Sequence, residues 1–171
     1  MATSAKPDIL NGVDVADLRR YIESVEADPR QADRDPQVIG RWVGGTRAEV
    51  IGKAGGVPIY MGGDHDPSAM GMLLRALVAC DIEVLISRAA LMGIEVEELT
   101  IEGRGYFHVA RYLGVDTPET AGYQRASCIV RIKAPGATPE QLDELRAALA
   151  TSPVGETFER NVPMTYDLIA E

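Results

Sequence analysis

The 171 residues contain only two cysteines and two histidines. His65 and His108 are too few for most metal sites, so neither a metal ion nor another cofactor is expected. The opening "MATSAKPDILNG" lacks the apolar core of a secretory leader. With so little cysteine and no leader, Cys80 and Cys128 are expected to be free thiols in a reducing cytoplasm. Positive charge is also scarce, with 17 Lys and Arg against 26 Asp and Glu and a net charge of −9. Such a surface repels phosphate backbones and anionic lipid, which makes nucleic acid and membranes poor partners. No apolar run is long enough to span a bilayer, because Arg75, Asp81, Glu83 and Arg88 interrupt the best candidate. There is no internal repeat and no low-complexity segment.

What is present reads as one domain of ordinary size with a helical preface. Val15, Leu18, Ile22 and Val25 recur at helical spacing, Asp14 can cap the start, and Pro29 ends the pattern. Residues 1–37 are therefore expected to form an N-terminal helical extension, and residues 38–171 the main domain. "VIGRWVGG" and "RAEVIGK" predict strands around a bend at Gly44 and Gly45, followed by a strand at "VPIYM". Asp66 as cap and Pro67 at the first helical position predict a long helix from about Ser68 to Met92, closed by Gly93.

Two further strands are expected after the helix. Leu99, Ile101, Phe107 and Val109 share one face of the first, and Ala126, Cys128, Val130 and Ile132 one face of the second. Thr138, Pro139 and Gln141 spell a capping box at the start of another helix, and "NVPMTYDLIAE" reads as a final strand. Strand pairs with one buried and one amphipathic helix make an α+β fold.

The long helix is too apolar for a monomer. At 100° per residue, Cys80, Glu83 and Ser87 fall on one side, Asp81 and Arg88 on another, and Arg75 nearly opposite Cys80. The rest of the circumference is Met, Leu, Ile and Val, more than one sheet face can cover. A symmetric homodimer is the preferred solution.

Four segments stand in a telling order: the hairpin at "RWVGGTR", then "DHDPSAMGMLLRALVAC", "GIEVEELTIEGRG" directly after the helix, and "SPVGETFERNVPMTYDL" after the charged helix. Their order and spacing resemble the OsmC/Ohr family, the osmotically inducible protein C and organic hydroperoxide resistance proteins. The resemblance implies an OsmC-like α+β fold: antiparallel sheets wrapped around a long buried central helix in an intertwined homodimer. It also implies a stress-response thiol peroxidase that reduces organic hydroperoxides. In that scheme the central-helix cysteine is peroxidatic and a "CPV" cysteine resolves it. An arginine of the first hairpin and a glutamate early in the helix hold the thiolate ready.

Cys80 matches the peroxidatic position, and Arg47 or Arg41 matches the hairpin arginine. The glutamate has no counterpart, since its place falls at Met70 or Gly71. The resolving cysteine is also absent, because this chain reads Ser152-Pro153-Val154 there. Cys128, on the apolar face of its strand, is expected to be core packing. Two readings follow. One is a one-cysteine peroxidase using Cys80 and recycled by an external thiol. The other is a non-catalytic dimer binding a small apolar ligand in a degenerate cleft around Met70, Met72 and Leu73.

Overall fold

The computed structural model describes residues 8–160. A short hairpin of β1 (Ile9–Leu10) and β2 (Val13–Asp14) leads directly into α1 (Val15–Ala27). The hairpin was not foreseen, whereas the helix starts where expected: Asp14 accepts a hydrogen bond from the Asp17 N–H at 2.9 Å. Asn11 in the hairpin turn adopts φ 52°, a left-handed conformation that asparagine tolerates better than most residues. Its side chain donates to the Ile94 carbonyl at 2.8 Å and accepts from the Val96 N–H at 2.9 Å. The extension is thereby tied to the segment beyond the central helix.

A 3-10 turn (Pro29–Ala32) precedes an antiparallel three-stranded sheet in the order β3 (Val38–Gly44), β4 (Arg47–Gly52), β5 (Ile59–Met61). Gly44 and Gly45 make the turn with φ of 117° and 53°, values that L side chains rarely adopt. Large apolar residues on this sheet stay uncovered: Ile39 is 52% exposed and Trp42 76%.

The central helix α2 runs Ala69–Leu91, one residue inside each expected end. Its N-cap is Ser68, whose hydroxyl accepts from the Gly71 N–H at 3.0 Å. Asp66 does not cap it, because its carboxylate is engaged by Arg47, and Pro67 lies before the helix. Gly93 closes the helix with φ 73°, as anticipated.

β6 (Glu98–Phe107) and β7 (Tyr123–Lys133) form a long antiparallel pair that packs on α2. Leu99 pairs with Ile132, Ile101 with Val130, and Gly103 with Cys128, which sets the apolar residues of both strands on one face. β6 ends at Phe107, so Val109 leaves the expected apolar face and is exposed. α3 (Pro139–Ala148) carries the full capping box, with Thr138 and Gln141 bonding reciprocally. A 3-10 turn (Leu149–Thr151) then feeds α4 (Pro153–Glu159). The expected strand at "NVPMTYDLIAE" lies outside the described residues.

The core lies where α2, α3 and the β6–β7 pair meet. Leu85, Ala89, Ile94 and Leu145 are buried there, with Leu99, Ile101, Val130, Ile132 and Leu149 packed around them. α2 buries one stripe, Leu77, Asp81, Leu85 and Ala89, at strict four-residue spacing.

β6 approaches the helix closely at Gly103. A Cβ there would meet Val78 Cγ2 at 2.7 Å. Gly103→Ala is therefore expected to cost ~1–3 kcal/mol by overpacking. Adding Val78→Ala to that variant should recover part of the loss in urea unfolding. Equal destabilisation with and without Val78→Ala would exclude the contact as the cause.

Candidate functional site

Cys80 lies near the middle of α2 and is half-buried. Its thiol side opens onto a cleft of about 510 Å³. α2 supplies the floor with Cys80, Val84, Ser87 and Leu91, and the margins with Glu83 and Arg88. One wall is Leu18 and Ile22 of α1, and the other is Thr151 at the end of the 3-10 turn and Pro153 at the start of α4. Cys80, Glu83 and Ser87 share a side of the helix, as their spacing predicts. Arg88 departs from its expected side: about 80° from Cys80 on the helical wheel, its long side chain still reaches this cleft.

Met70, Met72 and Leu73 do not line the Cys80 cleft, contrary to the expectation for an apolar binding site. They lie in the first turns of α2, whereas α1 and the start of α4 meet its later turns. The apolar groups around the thiol are Leu18, Ile22, Val84, Leu91 and Pro153 instead. The contribution of Leu18 and Ile22 was hidden in plain view. Their periodicity marked a buried face, but nothing in it named the surface that face would cover.

Ser152, where the resemblance implied a second cysteine, lies in sequence between the wall residues Thr151 and Pro153. It is 0% exposed, and its hydroxyl caps α4 by accepting from the Gly155 N–H at 3.3 Å. A serine here performs helix capping well. It has no sulfur with which to close a disulfide.

Neither hairpin arginine lines the Cys80 cleft. Arg41 projects from β3, largely exposed, with Glu49 at 3.6 Å. Arg47 on β4 is held twice, by an ion pair with Asp66 and by the Tyr60 ring 4.3 Å beneath its guanidinium. The hydrogen bond that Arg47 donates to the Asp66 carboxylate favours the charged form and raises the Arg47 pKa. Tyr60 in turn donates to Glu49 at 2.8 Å, a bond that raises the phenol's pKa. Arg41, Glu49, Tyr60, Arg47 and Asp66 thus form one chain of polar contacts across the sheet.

Cys128 occupies a different environment. It faces α2 beside Asp81, which is only 6% exposed and makes no ion pair with a described residue. Burial first, and then the Asp81 charge and hydrogen bond, push the Cys128 thiol above its ordinary pKa. The Cys80 cleft contains no Cys128 atom, and the cavities lined by Cys128 contain no Cys80. His65 and His108 join no cluster of potential metal ligands among the described residues. His108 instead accepts from the Ala110 N–H at 3.4 Å, just past the end of β6.

The raised Cys128 pKa sets a pH dependence. Its thiolate appears only at higher pH than that of an unperturbed thiol, so iodoacetamide should alkylate it slowly near neutrality. In the Cys80→Ser protein the alkylation profile is expected to lie to the alkaline side of a free thiol, and Asp81→Asn should move it back. An unmoved profile in Asp81→Asn would remove the carboxylate from the explanation.

A family model described as "OsmC-like protein" matches residues 62–167, more than half of the chain. Among curated proteins there is no match. Solved structures similar to this fold include an OsmC-like protein from Mycoplasma pneumoniae, at 15% identity and TM-score 0.62, covering 74% of this chain and 89% of its own. An OsmC-like protein of unknown function from Vibrio cholerae is similar at 13% identity and TM-score 0.59, over 73% and 94% of the two chains. An organic hydroperoxide resistance protein, OsmC, from Legionella pneumophila aligns at 14% identity and TM-score 0.54, over 74% and 90%. At these identities the likeness shows the fold alone, and it agrees with the antiparallel sheets and central helix described above. The family match and the fold agree: this chain belongs to the OsmC-like protein family.

Proposed function

We propose that this chain is a stress-response thiol peroxidase that reduces organic hydroperoxides with one peroxidatic cysteine, Cys80. The observation that carries the reading is the placement of Cys80 in an open, mainly apolar cleft whose wall residues bracket Ser152. Cys80 lines the cleft, and the two neighbours of Ser152 in sequence, Thr151 and Pro153, line its other wall, although Ser152 itself is buried behind them.

The chemistry requires a thiolate at Cys80. Its sulfur attacks the distal peroxide oxygen, an S–O bond forms as the O–O bond breaks, and the alkoxide leaves as an alcohol after taking a proton. Cys80 becomes a sulfenic acid, two electrons having passed to the peroxide. With serine at position 152 and Cys128 in a separate cavity, an external thiol condenses with the sulfenic acid, releasing water. A second external thiol then cleaves the mixed disulfide and restores Cys80.

Arg47 is the favoured cation for the thiolate and peroxide, with Arg41 as the reserve. In this reading Asp66 replaces the missing helix glutamate as the anchor of Arg47. Delivery of the arginine requires a second subunit, and an intertwined homodimer is the proposed assembly. Its support is the uncovered apolar surface of β3–β5 together with Leu73, Ala76 and Ala79 left exposed along α2. No helix among the described residues is long and apolar enough to cross a membrane, and we place the protein in the cytoplasm. Residues 1–37 are taken as an extension of the OsmC-like domain.

The second reading, a non-catalytic dimer that binds a small apolar molecule, has one observation in its favour. The buried Ser152 serves a structural purpose without any redox role.

Reduced protein mixed with a slight excess of cumene hydroperoxide in the presence of dimedone separates the two. Trapping at Cys80, faster by about two orders of magnitude than at a free thiol, is expected. The adduct should vanish in Cys80→Ser and persist in Cys128→Ser. Trapping no faster than at a free thiol, or equal at both cysteines, selects the binding reading. Sedimentation of the same protein should give twice the chain mass, and a monomer at micromolar concentration would refute the proposed assembly.

A further inference from the structure

Asp81 is the one charged side chain that is buried among the described residues, 6% exposed on α2. A carboxylate withdrawn from water needs a cation or several good hydrogen bonds to offset its desolvation. Among the described residues Asp81 joins no ion pair. The donor beside it is the Cys128 thiol, a weak one.

Asp81 also lines a cavity of about 340 Å³ bounded by α2, β7 and α4. Leu77 and Leu149 give it an apolar wall, and Phe158 stacks on Tyr123 there with ring centroids 5.6 Å apart. The Tyr123 hydroxyl donates to the Met70 carbonyl at 2.7 Å, which fixes the ring and leaves no proton for Asp81. Arg125 is the one cation on the lining, and its guanidinium lies 4.5 Å over the Tyr106 ring instead of pairing with Asp81. Glu159, at the end of α4, adds a second carboxylate. The cavity is therefore apolar on its walls and negative at its base.

We infer that this cavity binds a small organic ammonium ion, a protonated primary amine on a compact apolar body. The ammonium pairs with Asp81, and the body lies against Leu77, Leu149 and Phe158. Three considerations favour this occupant. An ammonium supplies the charge that Asp81 lacks, through charge-assisted hydrogen bonds that a neutral head group cannot match. The volume is that of a site for a small molecule, and aromatic rings on the wall favour a cation nearby. In a chain of net charge −9 the field draws cations in and repels anions. A metal ion fits less well, because no three His, Cys, Asp or Glu side chains converge among the described residues. None of the lining residues belongs to the Cys80 cleft, so the site is independent of the proposed reaction.

Calorimetric titration of the full chain with phenethylamine, 2-phenylethanol and 3-phenylpropionate compares different head groups on a similar body. The amine is expected to bind at least about tenfold more tightly than the alcohol, and the carboxylate not at all. In Asp81→Asn, which keeps the shape of the side chain, the amine should lose about tenfold while the alcohol stays within about twofold. Amide shifts in nitrogen–proton spectra locate the ligand: Leu77, Cys128 and Phe158 should move with the amine, while Val84 and Ser87 stay. Should Asp81→Asn fail to fold, the head-group series and the shifts on the unaltered chain still decide. Equal binding of amine and alcohol, no binding of the amine, an unchanged affinity in Asp81→Asn, or shifts confined to the Cys80 cleft each overturn the site.

Discussion

Everything in this fold answers to the need to cover α2. A helix of 23 residues that is apolar almost all round has no face it can leave to water without penalty. Its own chain covers it on one side with β6, β7 and α3, where Leu77, Leu85 and Ala89 are lost from solvent. On another side α1 and the start of α4 approach it, but they leave a cleft between them. Along a third side Leu73, Ala76 and Ala79 remain exposed. The β3–β5 sheet shows the converse deficit, an apolar surface with little to lie on. In the proposed homodimer a second copy of the chain would remedy both at once, which is why the proposed assembly and the proposed delivery of Arg47 are one argument.

The departures from the family pattern are easier to understand as exchanges of role than as losses. Position 152 must begin a helix immediately after a 3-10 turn, and serine is among the best residues for capping such a start. The chain gains a sound cap there, and in the proposed reaction an external thiol does the resolving. In the proposed reading the helix glutamate has a comparable substitute. Asp66 sits just ahead of α2 instead of inside it, and its carboxylate holds Arg47 from there. That contact also explains why the obvious cap residue does not cap: a carboxylate engaged by a guanidinium leaves the helix to Ser68.

The elements that were legible from sequence are those governed by short-range rules. α1, α2, α3 and the β6–β7 pair follow from periodicity and capping residues within a few positions of each other. The β1–β2 hairpin was not legible, because its two-residue strands carry no periodicity and Asn11 is held by backbone groups more than eighty positions away. The site divided the same way. Cys80 with Glu83 and Ser87 was visible on one helix, since they share its wheel. The walls were not, because Leu18, Ile22, Thr151 and Pro153 come from distant elements. Arg88 was assigned to another side by its Cα direction alone, and the reach of a guanidinium defeats that rule.

The two thiols illustrate why position outweighs identity in this chain. Cys128 lies beside a buried carboxylate, so both desolvation and charge oppose its thiolate. Cys80 adjoins that same aspartate in sequence, yet one step along a helix turns a side chain by about 100° and delivers it to an open, mainly apolar cleft. The wall of that cleft is not a loosely attached appendage. The hairpin ahead of α1 is pinned by the Asn11 side chain to Ile94 and Val96, and Ile94 itself belongs to the buried core. Leu18 and Ile22 are therefore positioned by the same cluster that positions α2. A helix that reads as a separate extension in the sequence thus becomes one wall of the cleft onto which the thiol opens.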